Sequence, residues 1–184
     1  MDEEINRLRA ESDRTVEAIR NELAHIRTGR ATTQLLDGIR VDYYGSAVPL
    51  QQVATVNVPE PRLITVQPWE KNLLGEITKA IQKSELGLNP ASDGNVIRLP
   101  IPPLTEERRK DLVKLVKKIG EEGKVSLRNH RREANEALKK SEKARTITED
   151  QMHKGSDRVQ KLTDEYIKKI DELLAKKEAE IMEV

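Results

Sequence analysis

The sequence predicts an α+β protein: an elongated antiparallel three-helix bundle carrying a small inserted α/β domain. Three observations lead there. Charged residues make up 35% of the 184 and hydrophobic ones 36%, with one Trp, three Tyr and no Phe. A large, deeply buried core is excluded, and narrow apolar stripes on long helices are the alternative. Apolar residues recur at spacings of three and four over residues 3–28, from Thr105 onward and from Thr148 onward, which is the helical period. Residues 31–104 lose that period and hold all eight prolines and five of the nine glycines.

The first helix places Ile5, Leu8, Ser12, Val16, Ile19, Leu23 and Ile26 on one face, and Gly29 behind it serves as the C′ stop. In the middle segment, residues 39–43, 53–58, 63–66 and 96–99 read as strands. Between them Leu73, Leu74, Ile77, Ala80, Ile81 and Ser84 mark an amphipathic helix ended by Gly87, and the sole tryptophan, Trp69, reads as core filler of this module, the alternative being an exposed protein-contact side chain. The second long helix opens with Thr105 as N-cap and Glu106 and Glu107 in its first turn, where the helix dipole favours acids. Its stripe is Leu112, Val116, Ile119, Gly123, Leu127, His130, Ala134 and Ala137, thinning toward small residues, so closer helix approach is expected toward its far end. Thr148-Glu-Asp-Gln151 reads as a capping box, followed by a stripe of Met152, Val159, Leu162, Tyr166, Ile170, Leu173 and Ile181.

These elements group residues 1–30 and 105–184 into the bundle and residues 31–104 into the insert. Two chain crossings join them, at Arg30, Ala31 and Thr32 and at Pro102, Pro103 and Leu104. A short double linker bends, so a hinged, L-shaped molecule is expected.

Composition narrows the function. Without cysteine there is no disulfide, thiolate metal site or cysteine nucleophile. No apolar run approaches the ~18 residues of a membrane span, and the N-terminus mixes acids with bases, unlike a signal or transit peptide. The expectation is a soluble cytoplasmic protein with no membrane partner. His25, His130 and His153 are scattered and form no metal-ligand spacing, and no serine or threonine has a triad order around it. Gly120-Glu-Glu-Gly-Lys124 lacks phosphate-loop spacing and falls inside a helical pattern. An enzyme would need clustered acids and bases in residues 31–104, which the segment does not supply. A helical adaptor for other proteins would need an exposed apolar groove.

Net charge is only +1, yet residues 105–147 carry 14 bases against 8 acids while every other segment is slightly acidic. Taking Arg109 as origin, Lys110, Lys114, Lys117, Lys124, Arg128, Arg131, Arg132 and Lys139 fall in one band between about 40° and 140°, beside the apolar stripe. Lysines alone describe a solvated face. Arg128, Arg131 and Arg132 within little more than one turn point further, because guanidinium suits bidentate phosphate contact. Arg27 and Arg30 close the first helix, and Arg108 and Arg109 open the second, where cations oppose the dipole. With no aromatics along the rod for base stacking, structured RNA read through backbone and shape fits better than a single strand.

Arg27-Thr-Gly-Arg-Ala31, Ala80-Ile81 with Leu86-Gly-Leu-Asn-Pro90, the run Ile97-Arg-Leu-Pro-Ile-Pro-Pro-Leu-Thr-Glu-Glu-Arg-Arg-Lys110, and Arg128-Asn-His-Arg-Arg-Glu-Ala-Asn135 resemble the bacterial ribosome recycling factor family. The resemblance spans essentially the whole chain. It implies a three-helix bundle and a hinged α/β domain, together similar in outline to transfer RNA. It also implies a non-catalytic translation factor, a monomer without cofactor or metal, that acts with elongation factor G and GTP to split the post-termination ribosome. The family's bundle lies on large-subunit ribosomal RNA, held by arginines matched here by Arg109, Arg128 and Arg131, with Arg132 in the same cluster. Arg27 and Arg30 support that surface or the hinge, and the insert faces elongation factor G. His130, between Asn129 and Arg131, stands where some relatives have a smaller apolar residue.

Overall fold

A computed structural model describes residues 1–183 of the chain. In chain order the elements are α1 (Asp2–Ala24), β1 (Arg40–Tyr43), β2 (Ser46–Pro49), β3 (Ala54–Glu60), β4 (Leu63–Pro68), α2 (Leu74–Lys83), β5 (Ala91–Ser92), β6 (Ile97–Pro100), α3 (Glu106–Lys143) and α4 (Glu149–Met182). They form two compact units, one of Met1–Thr28 with the chain from Thr105 on, the other Gly29–Leu104.

The first unit is a bundle of α1, α3 and α4. Both sequence-predicted N-caps close as hydrogen bonds: Thr105 Oγ1 accepts from the Arg108 N–H at 3.2 Å, and Thr148 and Gln151 make the reciprocal capping box at 3.2 and 2.8 Å. α1 ends at Ala24, short of the period that runs to residue 28, because the His25 ring donates from Nδ1 to the Asn21 carbonyl at 2.6 Å and satisfies one of the last-turn acceptors. Cross-contacts set the directions. Asp2 meets Arg158 (2.7 Å) and Asp13 meets Tyr166 (2.5 Å), so α1 and α4 run parallel. Thr15 meets His130 while Ile19 lies against Gly123, and Asn135 meets Ser156 while Gly120 lies against Leu174. α3 is therefore antiparallel to both neighbours.

Small residues decide how closely the helices approach. A Cβ at Gly123 would overlap Ile19 Cδ1 of α1 and stand 3.3 Å from Ile170 Cδ1 of α4, and one at Gly120 would overlap Leu174. Each glycine costs a helix interior about 1 kcal/mol relative to alanine, offset here by the packing of large side chains onto bare backbone. Tight contacts of this kind fall at Gly120 and Gly123, and another lies toward the far end of α3, where a Cβ on Gly155 of α4 would stand 3.0 Å from Leu138. Leu138 is buried rather than Ala137, and Leu174 rather than Leu173. In both places the buried face advances by four residues where a step of three was counted.

Tyr166 couples α4 to α1. It is 2% exposed, its hydroxyl donates to Asp13 Oδ1, and Lys169 Nζ sits 4.2 Å from the ring centroid. Burial first, then the hydrogen bond to the Asp13 carboxylate, push the phenol from its ordinary 10 up to about 12. Because the folded value lies above the unfolded one, the contribution is complete below pH 10 and disappears as pH rises toward 12. Tyr166→Phe is expected to cost about 1–2 kcal/mol at neutral pH and to flatten the loss of stability between pH 10 and 12. Urea unfolding of both proteins across that range measures the difference.

The second unit holds a β1–β2 hairpin and a four-stranded antiparallel sheet of order β3-β4-β6-β5. Tyr44 (φ +50°) and Gly45 (φ +87°) form the hairpin turn, both left-handed as a twisted two-residue turn requires. Leu36, Val41, Leu50, Ile64, Val66, Ile77, Ile81, Ile97 and Leu99 are fully buried and build an aliphatic core between sheet and α2. Trp69 is not part of it. The ring is 62% exposed and its Nε1–H donates to Thr55 Oγ1 at 2.8 Å, a correction explained by a core already filled with branched aliphatics. Both ends of the insert are tied to the β3–β4 turn, the Ala31 N–H to the Pro61 carbonyl and the Ile101 N–H to the Arg62 carbonyl, each at 2.8 Å.

Candidate nucleic-acid interface

The 38 residues of α3 give a rod about 57 Å long. One face of that rod is buried, and the basic band predicted from the sequence occupies the solvent side. Its density is uneven. Lys124 is 21% exposed and forms an ion pair with Asp171 of α4, so it fastens the bundle and offers little to a ligand. Lys110 pairs with Glu106 one turn back at 2.9 Å. Lys114, Lys117 and Lys139 are exposed and unpaired among the described residues.

The arginines are brought together more closely. Arg128, Arg131, Arg132 and Lys139, with Asn129, Asn135 and Glu136, line one open groove of about 450 Å³. Arg128 Nη1 reaches back to Glu121 at 2.9 Å, and Arg131 Nη1 donates to Gln160 Oε1 of α4 at 3.2 Å. Arg132 is exposed and has no side-chain partner among the described residues. The Arg128–Glu121 pair is roughly half exposed on each side, and such pairs contribute about 0–1 kcal/mol. A phosphate making two charge-assisted hydrogen bonds displaces that carboxylate readily. The groove thus presents three forked donors and amides on a stiff helix, suited to a folded polyanion.

The remaining sequence-predicted arginines lie elsewhere. Arg109 is 22 residues up α3, about 33 Å along the axis, half-buried, with Nε covered and without a protein acceptor. Arg27 and Arg30 are exposed, and the boundary between the units, at Thr28 and Gly29, falls between them. Ala31 is buried in the core of the insert, whereas Pro102 and Pro103 are exposed. Sequence reasoning missed Gln160, which orients Arg131 from another helix and has no local signal. It also missed a polar–aromatic face on the insert: Tyr43 and Tyr44 hydroxyls both donate to Glu70 at 2.9 and 3.1 Å, and Asn72 donates to the Tyr44 oxygen at 3.1 Å. The hydrogen bond to Glu70 raises the Tyr43 phenol above its usual range. Tyr44 is 73% exposed, and Trp69, the neighbour of Glu70 in the chain, is also open.

Among the described residues no helix is long and apolar enough to cross a membrane. The only group of His, Cys, Asp and Glu among them close enough to hold a metal is Glu11, His130 and Glu133, between α1 and α3 and away from the groove.

Comparison with known proteins gives a consistent result. A family model described as Ribosome recycling factor matches residues 19–182. The ribosome-recycling factor of Desulfatibacillum aliphaticivorans is 53% identical over 175 residues, 95% of each chain. A solution structure of a ribosome recycling factor is similar with TM-score 0.78 and 46% identity, covering 100% of this chain and 97% of that one. A second structure, of models for the T. thermophilus ribosome recycling factor and the E. coli elongation factor G bound to the E. coli post-termination complex, is similar with TM-score 0.65 and 47% identity, covering 99% and 98%.

Proposed function

The chain belongs to the ribosome recycling factor family, and from that premise we propose that it acts with elongation factor G and GTP to dissociate the post-termination ribosome into subunits, freeing them for a new round of initiation. Members of this family are non-catalytic translation factors. GTP chemistry belongs to the partner, and the chain works as a cytoplasmic monomer. The observation that carries the reading is the Arg128, Arg131 and Arg132 groove on the open side of a helix packed to two others. Large-subunit ribosomal RNA is the polyanion it holds, through phosphate and sugar contacts that position the rod without reading sequence. Arg109 extends the same contact line along α3, and Arg27 and Arg30 lie at the approach to the double linker.

The insert supplies the other half of the device. Its exposed Trp69 and Tyr44, flanked by hydrogen-bonded polar groups, are the kind of surface that protein partners favour, and we assign it to elongation factor G. The chain passes between insert and bundle twice, and these two crossings carry force from one to the other. Arg30 lies in one crossing and Pro102, Pro103 and Leu104 in the other, whereas Thr32 lies inside the insert, past the anchored Ala31. Ala31 and Ile101 are anchored to the β3–β4 turn, so slack is confined to very few residues. Displacement of the anchored rod against RNA joining the subunits then breaks that junction.

A short Gly/Ser insertion placed in both crossings, after Arg30 and after Pro103, tests the lever. Ribosome binding is expected to remain and the rate of subunit splitting with elongation factor G and GTP, followed by light scattering, to fall at least tenfold. Full splitting activity with slack crossings contradicts force transmission through them.

A further inference from the structure

Across the apolar stripe from the arginine groove, α3 meets α1 through His130. Thr15 on α1 donates its hydroxyl proton to the Glu11 carbonyl at 3.1 Å, and the same oxygen lies 3.2 Å from His130 Nε2. A threonine hydroxyl has one proton. With that proton committed to Glu11, the oxygen accepts, so Nε2 carries the ring hydrogen and donates. In the neutral imidazole Nδ1 is then a bare lone pair. Nδ1 is buried, no protein group hydrogen-bonds it, and the nearest charged atom is Glu11 Oε2 at 3.5 Å. A lone pair facing a carboxylate oxygen is repulsive, and a cation between them reverses the sign.

The surroundings suit such a cation. Glu133, three residues along the same helix face, brings a second carboxylate, and the ligand atoms of Glu11, His130 and Glu133 all lie within 4.8 Å of one another. They border a small, partly open space of about 10 Å³ shared with Glu4, Arg7 and Leu8, room for about one water-sized particle. Arg7 takes Glu11 Oε1 at 3.0 Å and leaves Oε2 toward the cavity. Three carboxylates against one guanidinium leave the site doubly negative.

We propose that Glu11, His130 and Glu133 form a site for one divalent transition-metal cation of the zinc class, which fastens α1 to α3. One imidazole and two carboxylates with a fourth position for water is a zinc-type donor set, whereas magnesium and calcium favour all-oxygen shells. The Thr15 hydrogen bond to the far ring nitrogen is the outer contact that orients a metal-bound imidazole.

Calorimetric titration of the full chain, stripped with chelator, with zinc chloride tests this, alongside thermal unfolding with and without zinc. One equivalent is expected to bind and raise the unfolding midpoint, with magnesium inert. Glu133→Gln, at an exposed position, is expected to weaken zinc binding at least tenfold. His130→Val removes the site, and a His25→Gln/His153→Gln variant, lacking the other two histidines, retains it. Absence of zinc binding, or binding that survives His130→Val unchanged, overturns the proposal. A midpoint that rises on acidification of chelator-treated protein but ignores zinc assigns the site to a proton and overturns it equally.

Discussion

Replacing Arg128, Arg131 and Arg132 together by alanine is expected to lower affinity for vacant ribosomes by about two to three orders of magnitude. Each guanidinium–phosphate contact contributes on the order of 1–1.5 kcal/mol net, and 1.4 kcal/mol is a factor of ten. The fold is expected to survive, because these side chains hold little of it. Arg128 loses one exposed ion pair to Glu121 and Arg131 one exposed hydrogen bond to Gln160, interactions in the range of about 0–1 kcal/mol each. Alanine, the best helix former, recovers part of that. Co-sedimentation with ribosomes at moderate salt reads the affinity, and circular dichroism melting reads the fold. Retained affinity in the triple variant would remove the groove from the mechanism.

Gly123→Leu is expected to be the most destabilising single change in the bundle, costing about 3 kcal/mol or more, since an overpacked core typically loses 1–3 kcal/mol for far smaller additions. At this position α1 and α4 both close on the backbone of α3, Ile19 from one side and Ile170 from the other. Gly123→Ala is the informative companion. It gains about 1 kcal/mol of helix propensity, must displace the terminal methyl of Ile19 and needs Ile170 Cδ1, 3.3 Å away, to give slightly, so its net effect is expected to be small. Adding Ile19→Val to Gly123→Ala relieves the overlap and is expected to give less destabilisation than the two changes summed. Urea unfolding supplies all four free energies. A Gly123→Leu protein as stable as the parent would mean that the helices separate freely there, and the rod would lack the stiffness the proposed mechanism needs.

What was legible in the chain and what was not follows from the range of each interaction. Thr105 and Thr148 announced their helices because a cap is made within three residues. The buried stripes were legible through Leu127 and Ile170, where the step of the period is unambiguous, and slipped by one residue at Leu138 and Leu174, where steps of three and four reach equally apolar positions. Strands β2 and β5 were missed. Ser46–Pro49 shows no apolar alternation, Ala91–Ser92 is two residues long, and each exists only because a neighbouring strand pairs with it. For Trp69 the core reading fails and the side chain is exposed, because hydrophobicity alone does not reveal that Leu50, Ile64 and Ile97 already fill the insert. The arginine cluster was visible from spacing, but its partners were not. Glu121 lies two turns away on the same helix and Gln160 on another, and only the folded bundle brings them to Arg128 and Arg131. The His130 environment is the extreme case: Thr15 and Glu11 stand more than a hundred positions earlier, and nothing in the local sequence couples them.

The most direct test of a rigid bundle gripping folded ribosomal RNA through the guanidinium groups of α3 is the salt dependence of ribosome binding. Affinity of the full chain for vacant ribosomes is measured over a series of monovalent salt concentrations, for the parent and for Arg131→Ala. The expected result is a linear fall of log affinity with log salt, with the slope of Arg131→Ala shallower by about one. An affinity indifferent to salt, or identical slopes for the two proteins, would contradict it.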